Sequence, residues 1–431
     1  MDKQSVLALG LTAGLSVGYL FGKTQASASS TKTRKQQPKE ASASQDEVER
    51  LIRPNILALT PYRCARDDYD QGILLDANEN SLGPPLDADH ALRQEILERY
   101  PDPYQRELKQ ALADFRNAKS GDNKVQINNI FLGVGSDEAI DLVIRVACTP
   151  RVDSILITPP TYGMYQVCAN IHDVNIISVP LKVEAPAENP KGLKDDLPLP
   201  SFHIDPEAIL KAATPNTKII FLCSPGNPTA NALRTKDIET VLKAESYKGF
   251  VVVDEAYVDF SETASLCTLV NTYPRLIVLQ TLSKGFGLAG IRLGSAFGDP
   301  RLIQILNNVK APYNINKLTA KVALEALGSI DELNRKVGII KSEKERVLKE
   351  LRKLPFIQAI YASDSNFVLF QLPNSLQVYR QMADRGVVIR YRGNQLLLDD
   401  CLRATIGSTE ENDRMLALLK EVSIELGASS N

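Results

Sequence analysis

The chain is poor in the residues on which several protein chemistries depend. Its 431 residues include only three histidines, His90, His172 and His203, scattered without ligand spacing. A histidine-based metal centre is therefore not expected. The six cysteines form no C-x-x-C pair, and they read as reduced, mostly packed thiols of an intracellular protein. A formal net charge of −2 leaves no positive excess for a nucleic-acid surface. No internal repeat is apparent. What remains is ordinary globular composition, 44% hydrophobic and 24% charged, in a chain long enough for two domains with a large core.

The start of the chain is unlike the rest. An apolar run covers residues 6–22, with Gly10, Gly14, Gly18 and Gly22 on one helical face, and Lys23, Lys32, Arg34 and Lys35 follow it. Three readings stay open: a signal-anchor forming a membrane tether, a removed targeting segment, or an apolar tail with no membrane role. A mitochondrial presequence fits less well, because arginine is missing from the first thirty residues. Segment 27–44 has the composition of a disordered linker. The expected location of the catalytic part is cytoplasmic.

From about residue 130 the pattern alternates between apolar strands and amphipathic helices. Strands are expected at 131–133, 154–158, 174–180, 218–223, 250–253 and 276–279. Helices are expected between them, one of them at 137–147 with Ser136 as its N-cap. Such alternation implies an α/β fold with a mainly parallel sheet covered on both faces. Ligands of such sheets sit beyond the carboxyl ends of the strands, where Tyr162, Asn227 and Asp254 fall. A Pro-rich, charged insertion at 184–200 reads as a surface loop. A long charged helix at 332–353, then short strands and helices, implies a smaller α+β domain at the C-terminus.

The segment TLSKGFGLAGIRLG, residues 281–294, carries the chemistry. Lys284 lies in a glycine-broken turn among apolar neighbours, where poor solvation disfavours the ammonium and frees an amine to attack carbonyls. Thr281, Ser283 and Arg292, with the helix start at Gly135 and Ser136, suit a phosphate. Asp254 ends the apolar strand VVVD, a costly place for a carboxylate unless a cation answers it. A protonated pyridine nitrogen would answer it. Asn227 and Tyr257 offer hydrogen bonds to a phenolate oxygen, and Tyr162 a ring to stack. Taken singly, each has a bland reading: Asp254 as a strand-end cap, Asn227-Pro228 as a turn, Tyr162 as core. Taken together they match pyridoxal 5′-phosphate, which needs a Schiff-base lysine and an acid at its pyridinium nitrogen.

From about Arg53 onward the chain resembles the fold-type I pyridoxal-phosphate aminotransferases, class II subfamily, and most specifically the histidinol-phosphate aminotransferase family. The segments that carry the resemblance include LLDANENSLGP, RYPDP, LGVGSDEAIDLVIR, PPTYGMY, CSPGNPT, VVVDEAYVDF, TLSKGFGLAGIRLG and CLRATIGSTEEN. PYRCARDDY looks most like the fungal branch. The resemblance implies a seven-stranded large-domain sheet between helices. It divides the chain into an arm at 46–85, a cofactor-binding large domain at 86–330 and a small domain at 331–431, after the segment 1–45. Carried over by position, Lys284 becomes the lysine joined to the cofactor and the base for the proton shift, and Asp254 the partner of the ring nitrogen. Asn227 and Tyr257 bond the ring oxygen, Tyr162 stacks on the ring, and Ser136, Asp137, Thr281, Ser283 and Arg292 bind the phosphate. Tyr100 reaches the phosphate of a neighbouring subunit, implying a homodimer with shared active sites. Arg390, Arg403 and Asn80 fall at substrate-binding positions. The expected substrates are L-histidinol phosphate and the glutamate/2-oxoglutarate pair. One departure stands out: the usual NPTG reads Asn227-Pro228-Thr229-Ala230, so a shifted loop is expected there. Alternatives are a broader aromatic aminotransferase, a phosphothreonine decarboxylase of similar fold, or a catalytically silent, membrane-tethered binding module.

Overall fold

The computed structural model describes residues 46–62, 71–87, 89–118, 121, 123–184 and 199–427. The apolar run at 6–22, its linker and most of the insertion at 184–200 lie outside them. Among the described residues no helix is long and apolar enough to cross a membrane.

Thirteen strands follow in chain order among the described residues: β1 (Ile130–Val134), β2 (Ser154–Ile157), β3 (Asn175–Ser178), β4 (Lys182–Glu184), β5 (Ser201–His203), β6 (Thr217–Cys223), β7 (Phe250–Asp254), β8 (Leu276–Thr281), β9 (Leu293–Phe297), β10 (Ala359–Ile360), β11 (Phe367–Gln371), β12 (Arg390–Tyr391) and β13 (Cys401–Thr405). Seven of them make the large sheet, in the order β1-β9-β8-β7-β6-β2-β3. It is parallel except for β9, which runs antiparallel to both β1 and β8. The mainly parallel seven-stranded sheet is thus as expected from the sequence.

The strands are apolar throughout because both faces are covered. Successive side chains point to opposite faces, so Val251 and Val253 join one buried cluster and Phe250 and Val252 the other. Helices Arg106–Asn117, Pro206–Ala212, Thr235–Lys243 and Lys317–Leu327 pack on the first face. Helices Gly135–Ala147, Met164–Ile171 and Pro300–Val309 pack on the second. A third core unites helices Ile330–Arg352, Ser375–Asp384 and Thr409–Glu425 with the antiparallel sheet β10-β11-β13-β12.

Two expectations need correction. The antiparallel β9, with its glycine and serine, was not recognised as a strand; it is inserted between β1 and β8 and is buried throughout. The strands that flank the insertion, β4 and β5, pair antiparallel, and most of the insertion itself lies outside the described residues. Ser136 is not an N-cap. The helix starts at Gly135, one residue before it, and no side chain caps it. Instead the Glu138 carboxylate accepts from Val134 N at 2.5 Å.

The topology sets up one edge of the sheet. Strands β1, β2, β6, β7 and β8 point the same way, and their carboxyl ends deliver Gly135, Tyr162, Asn227, Asp254 and Lys284. Strand β9 runs the other way, so its start, next to Arg292, reaches the same edge.

Candidate active site

A cavity of about 460 Å³ opens at that edge. It is lined by Ser136, Asp137, Tyr162, Asn227, Asp254, Tyr257, Thr281, Ser283, Lys284, Arg292, Arg390 and Arg403. Every expected site residue is therefore there except Tyr100 and Asn80. Tyr100 lines a separate cleft with Glu79 and Arg99 and stacks on Tyr313 at 4.5 Å between ring centres. Asn80 is exposed, and its side-chain oxygen accepts from Leu82 N at 3.1 Å, closing a local turn.

Asp254 is 3% exposed at the end of β7. Tyr165 Oη donates to its Oδ2 at 2.6 Å, and Ala256 N donates to Oδ1 at 3.1 Å. Burial pushes the carboxyl up to about 6, while these two donors pull the other way. The sequence reading missed Tyr165, three residues after Tyr162 and fully buried with its ring stacked on Phe221. The signal was the second tyrosine of PPTYGMY, which lies in the first turn of helix Met164–Ile171 with its ring edge-on to Tyr162 at 5.7 Å.

Below the aspartate the strand end is braced. The buried Glu255 accepts from Leu266 N and Gln280 Nε2, and Arg116 donates to Gln280 Oε1 and pairs with Asp259 at 2.7 Å. Gly285 lies against this brace; a Cβ there would fall 2.6 Å from Asp259 Cβ. The turn that carries Lys284 is thereby pressed onto the buried network.

Lys284 itself is less dry than the sequence suggested. Its surface is open to the cavity, and Nζ stands 5.7 Å from the centre of the Tyr257 ring. The surrounding walls, and after them the charges of Arg403 and Arg292, hold its ammonium below the ordinary lysine value. Desolvation by those walls is the larger cause, as the apolar neighbours implied, and the two guanidinium groups add to it.

The phosphate-type cradle comes from close backbone packing. Gly135 has φ 71°, and a Cβ on it would approach Arg292 Nη2 to 2.7 Å. A Cβ on Gly294 would collide with the backbone of Gly135 and Ser136. Two glycines thus let β9 and the helix start close on each other. Thr281 Oγ1 lies 2.9 Å from Ser283 Oγ, Arg292 Nη2 lies 3.5 Å from Asp137 Oδ2, and Tyr162 Oη donates to Asp137 Oδ1 at 3.0 Å.

Arg403 donates to Asn227 Oδ1 and lies 5.1 Å over the Phe367 ring, which packs edge-on against Tyr257. Ala230, at the position of the usual glycine, adopts φ 67° and is buried with Tyr257, Phe260 and Phe367. Its carbonyl accepts from Ser365 Oγ at 2.8 Å. The methyl is held in a left-handed conformation by packing on the tyrosine that lines the cavity.

The class I and II aminotransferase model matches residues 70–419. The chain belongs to that family. Aminotransferases of this family depend on pyridoxal phosphate, and the chain is a transaminase. It is 44% identical over 399 residues to the histidinol-phosphate aminotransferase of Saccharomyces cerevisiae, covering 88% of this chain and 98% of that one. It is 42% identical over 375 residues to the histidinol-phosphate aminotransferase of Cytophaga hutchinsonii, covering 86% and 98%. Its fold is similar to that of the Sinorhizobium meliloti histidinol-phosphate aminotransferase solved with pyridoxal 5′-phosphate. That match has a TM-score of 0.65 at 23% identity, over 81% of this chain and 90% of the other.

Gly135 lines the cavity as expected, and beyond the expected residues this aminotransferase adds Cys223, Ala256, Ala289 and Arg392. Cys223 is paired in register with Asp254 on the neighbouring strand, a relation that only the sheet discloses.

Proposed function

We propose that the chain is a histidinol-phosphate aminotransferase, moving the amino group between L-histidinol phosphate and 2-oxoglutarate to give imidazole acetol phosphate and L-glutamate, a step of histidine biosynthesis. The observation that carries the reading is the content of the cavity: a lysine, a buried carboxylate, a phosphate-type cradle and arginines, in a chain so similar to that enzyme's curated members.

The residues fit pyridoxal 5′-phosphate. A carboxylate as buried as Asp254 is costly without a cation, and a protonated ring nitrogen supplies one. Amides at the start of helix Gly135–Ala147, with Thr281, Ser283 and Arg292, suit a phosphate. When bound, the cofactor supplies an electron sink for the bonds at the substrate Cα. Asp254 would keep the proton on the ring nitrogen, with Tyr165 holding Asp254 in place. Tyr162 would flank the ring, and the Asn227 amide, its oxygen engaged by Arg403, and the Tyr257 hydroxyl would hold the ring oxygen. Lys284 Nζ takes the proton from the substrate Cα and later gives it up again. Arg390 and Arg403 hold the substrate phosphate or the glutamate carboxylate in turn.

The proposal includes a homodimer with shared sites. Ile73 and Leu82, 91% and 89% exposed, are apolar surface that a second copy would cover. Tyr100 lies outside its own chain's cavity, as a residue serving a neighbour's site would.

A coupled assay of the purified protein tests the reading. Histidinol phosphate should be strongly preferred over phenylalanine and phosphothreonine as amino donor; equal or better turnover of either rival rejects it. Lys284→Ala should abolish turnover, and borohydride should fix the cofactor to Lys284 in the unaltered protein alone.

A further inference from the structure

Strands β12 and β13 pair with Arg390 directly opposite Arg403. Like charges in that position repel and weaken a sheet unless an anion lies between them. Arg392 follows Arg390 by two residues, the spacing that returns a side chain to the same face, and it lines the same cavity. Its backbone is pinned on both sides: Arg392 N donates to Cys401 O at 2.8 Å, and its carbonyl accepts from Gln395 N at 2.9 Å. The next residue must be small, since a Cβ on Gly393 would fall 2.6 Å from the Tyr391 ring. Among the described residues no carboxylate pairs with the guanidinium so placed. Its Nε is buried without a hydrogen-bond partner among the described residues. Burial, then the charges of Arg403 and Arg390, push it down to about 10. The hydrogen bond of Arg403 goes to a neutral amide, not to a carboxylate.

Four arginines line the cavity, and the three that remain once Arg292 is assigned to the cofactor phosphate exceed what a carboxylate can use. A carboxylate has two oxygens and is saturated by one two-pronged arginine, whereas a phosphate monoester carries nearly two charges on three oxygens. We infer that Arg392 is the third guanidinium of a phosphomonoester subsite, engaged when the phosphorylated amine is bound and left without an acceptor when glutamate takes its place. The inference rests on the proposed function and deepens it by assigning a residue that separates the two half-reactions.

The test uses the holoenzyme and its Arg392→Gln variant, mixed separately with histidinol phosphate and with glutamate while the cofactor absorbance is followed. Removing a hydrogen bond to a charged group should weaken apparent affinity for histidinol phosphate by about 10- to 100-fold, at least tenfold more than for glutamate. Inorganic phosphate, used as a competitive ligand, should lose affinity by a similar factor. Equal weakening toward both substrates, or none, overturns the inference. Arg392→Lys, which keeps the charge, should recover part of the lost phosphate affinity; a lysine variant as poor as glutamine toward both substrates alike would reduce the residue to packing. If the unaltered holoenzyme fails to turn over histidinol phosphate, the function proposal fails. The inorganic-phosphate comparison still judges Arg392, and unchanged binding in the glutamine variant overturns its role.

Discussion

Replacing Asp254 with asparagine should make the cofactor-free protein more stable at alkaline pH while spoiling the cofactor site. The carboxyl is 3% exposed and has its ionisation raised from 3.8 to about 6, chiefly by burial. A folded-state value above the unfolded one means that the folded protein holds this proton more tightly. The group therefore favours folding below about pH 4, and that advantage disappears as pH rises through about 6. The gap converts to ~3 kcal/mol lost by pH 8, of which roughly half is already lost by pH 5. Asparagine carries no charge and avoids this cost. Its oxygen accepts from Ala256 N, and its NH2 donates to Tyr165 Oη, since a tyrosine hydroxyl both donates and accepts. Any misfit of the amide is independent of pH, so the pH dependence is the signature. Urea unfolding of both apo-proteins at one protein concentration should show the variant gaining about 1–2 kcal/mol on the wild type between pH 5 and pH 8. A difference that stays flat over this range, or moves in favour of the wild type, refutes the account of Asp254. With cofactor present the order should reverse, because only the carboxylate can pair with a protonated ring nitrogen.

Tyr165→Phe removes a 2.6 Å donor from the buried carboxylate while keeping the ring stacked on Phe221. Cofactor affinity should fall by about 10- to 100-fold in an absorbance titration; unchanged affinity would remove Tyr165 from the site. Deleting residues 1–45 should leave transaminase activity intact, and cell fractionation of both forms checks the proposed tether. If both are equally soluble, the tether idea is wrong.

Much of the site could be read from residue types at strand ends. Asp254 after three valines, Asn227 after CSPG and Lys284 in a glycine turn each break an apolar pattern, and such breaks are local. Strand β9 was missed because LGSAF lacks the β-branched residues of its neighbours, and its antiparallel insertion depends on partners far along the chain. Ser136 was misread as a cap because the helix begins one residue earlier, where Gly135 can take a positive φ. Lys284 was read as desolvated from its apolar neighbours, and burial is the first cause of its lowered ammonium, but its opening to the cavity and the charges of Arg403 and Arg292 could not be read locally. Tyr165 was missed because its bond to Asp254 joins residues 89 positions apart.

By itself the sequence determined the alternating α/β plan, the family and the residue types of the cavity, because periodicity and short motifs act over a few positions. Tertiary structure alone decided which of those residues meet. It laid five strand ends on one edge, set Arg390 across from Arg403 and left Arg392 facing the same space with no carboxylate paired to it among the described residues. Charge balance and hydrogen-bond partners are properties of neighbours in space, and the order of residues along the chain does not contain them.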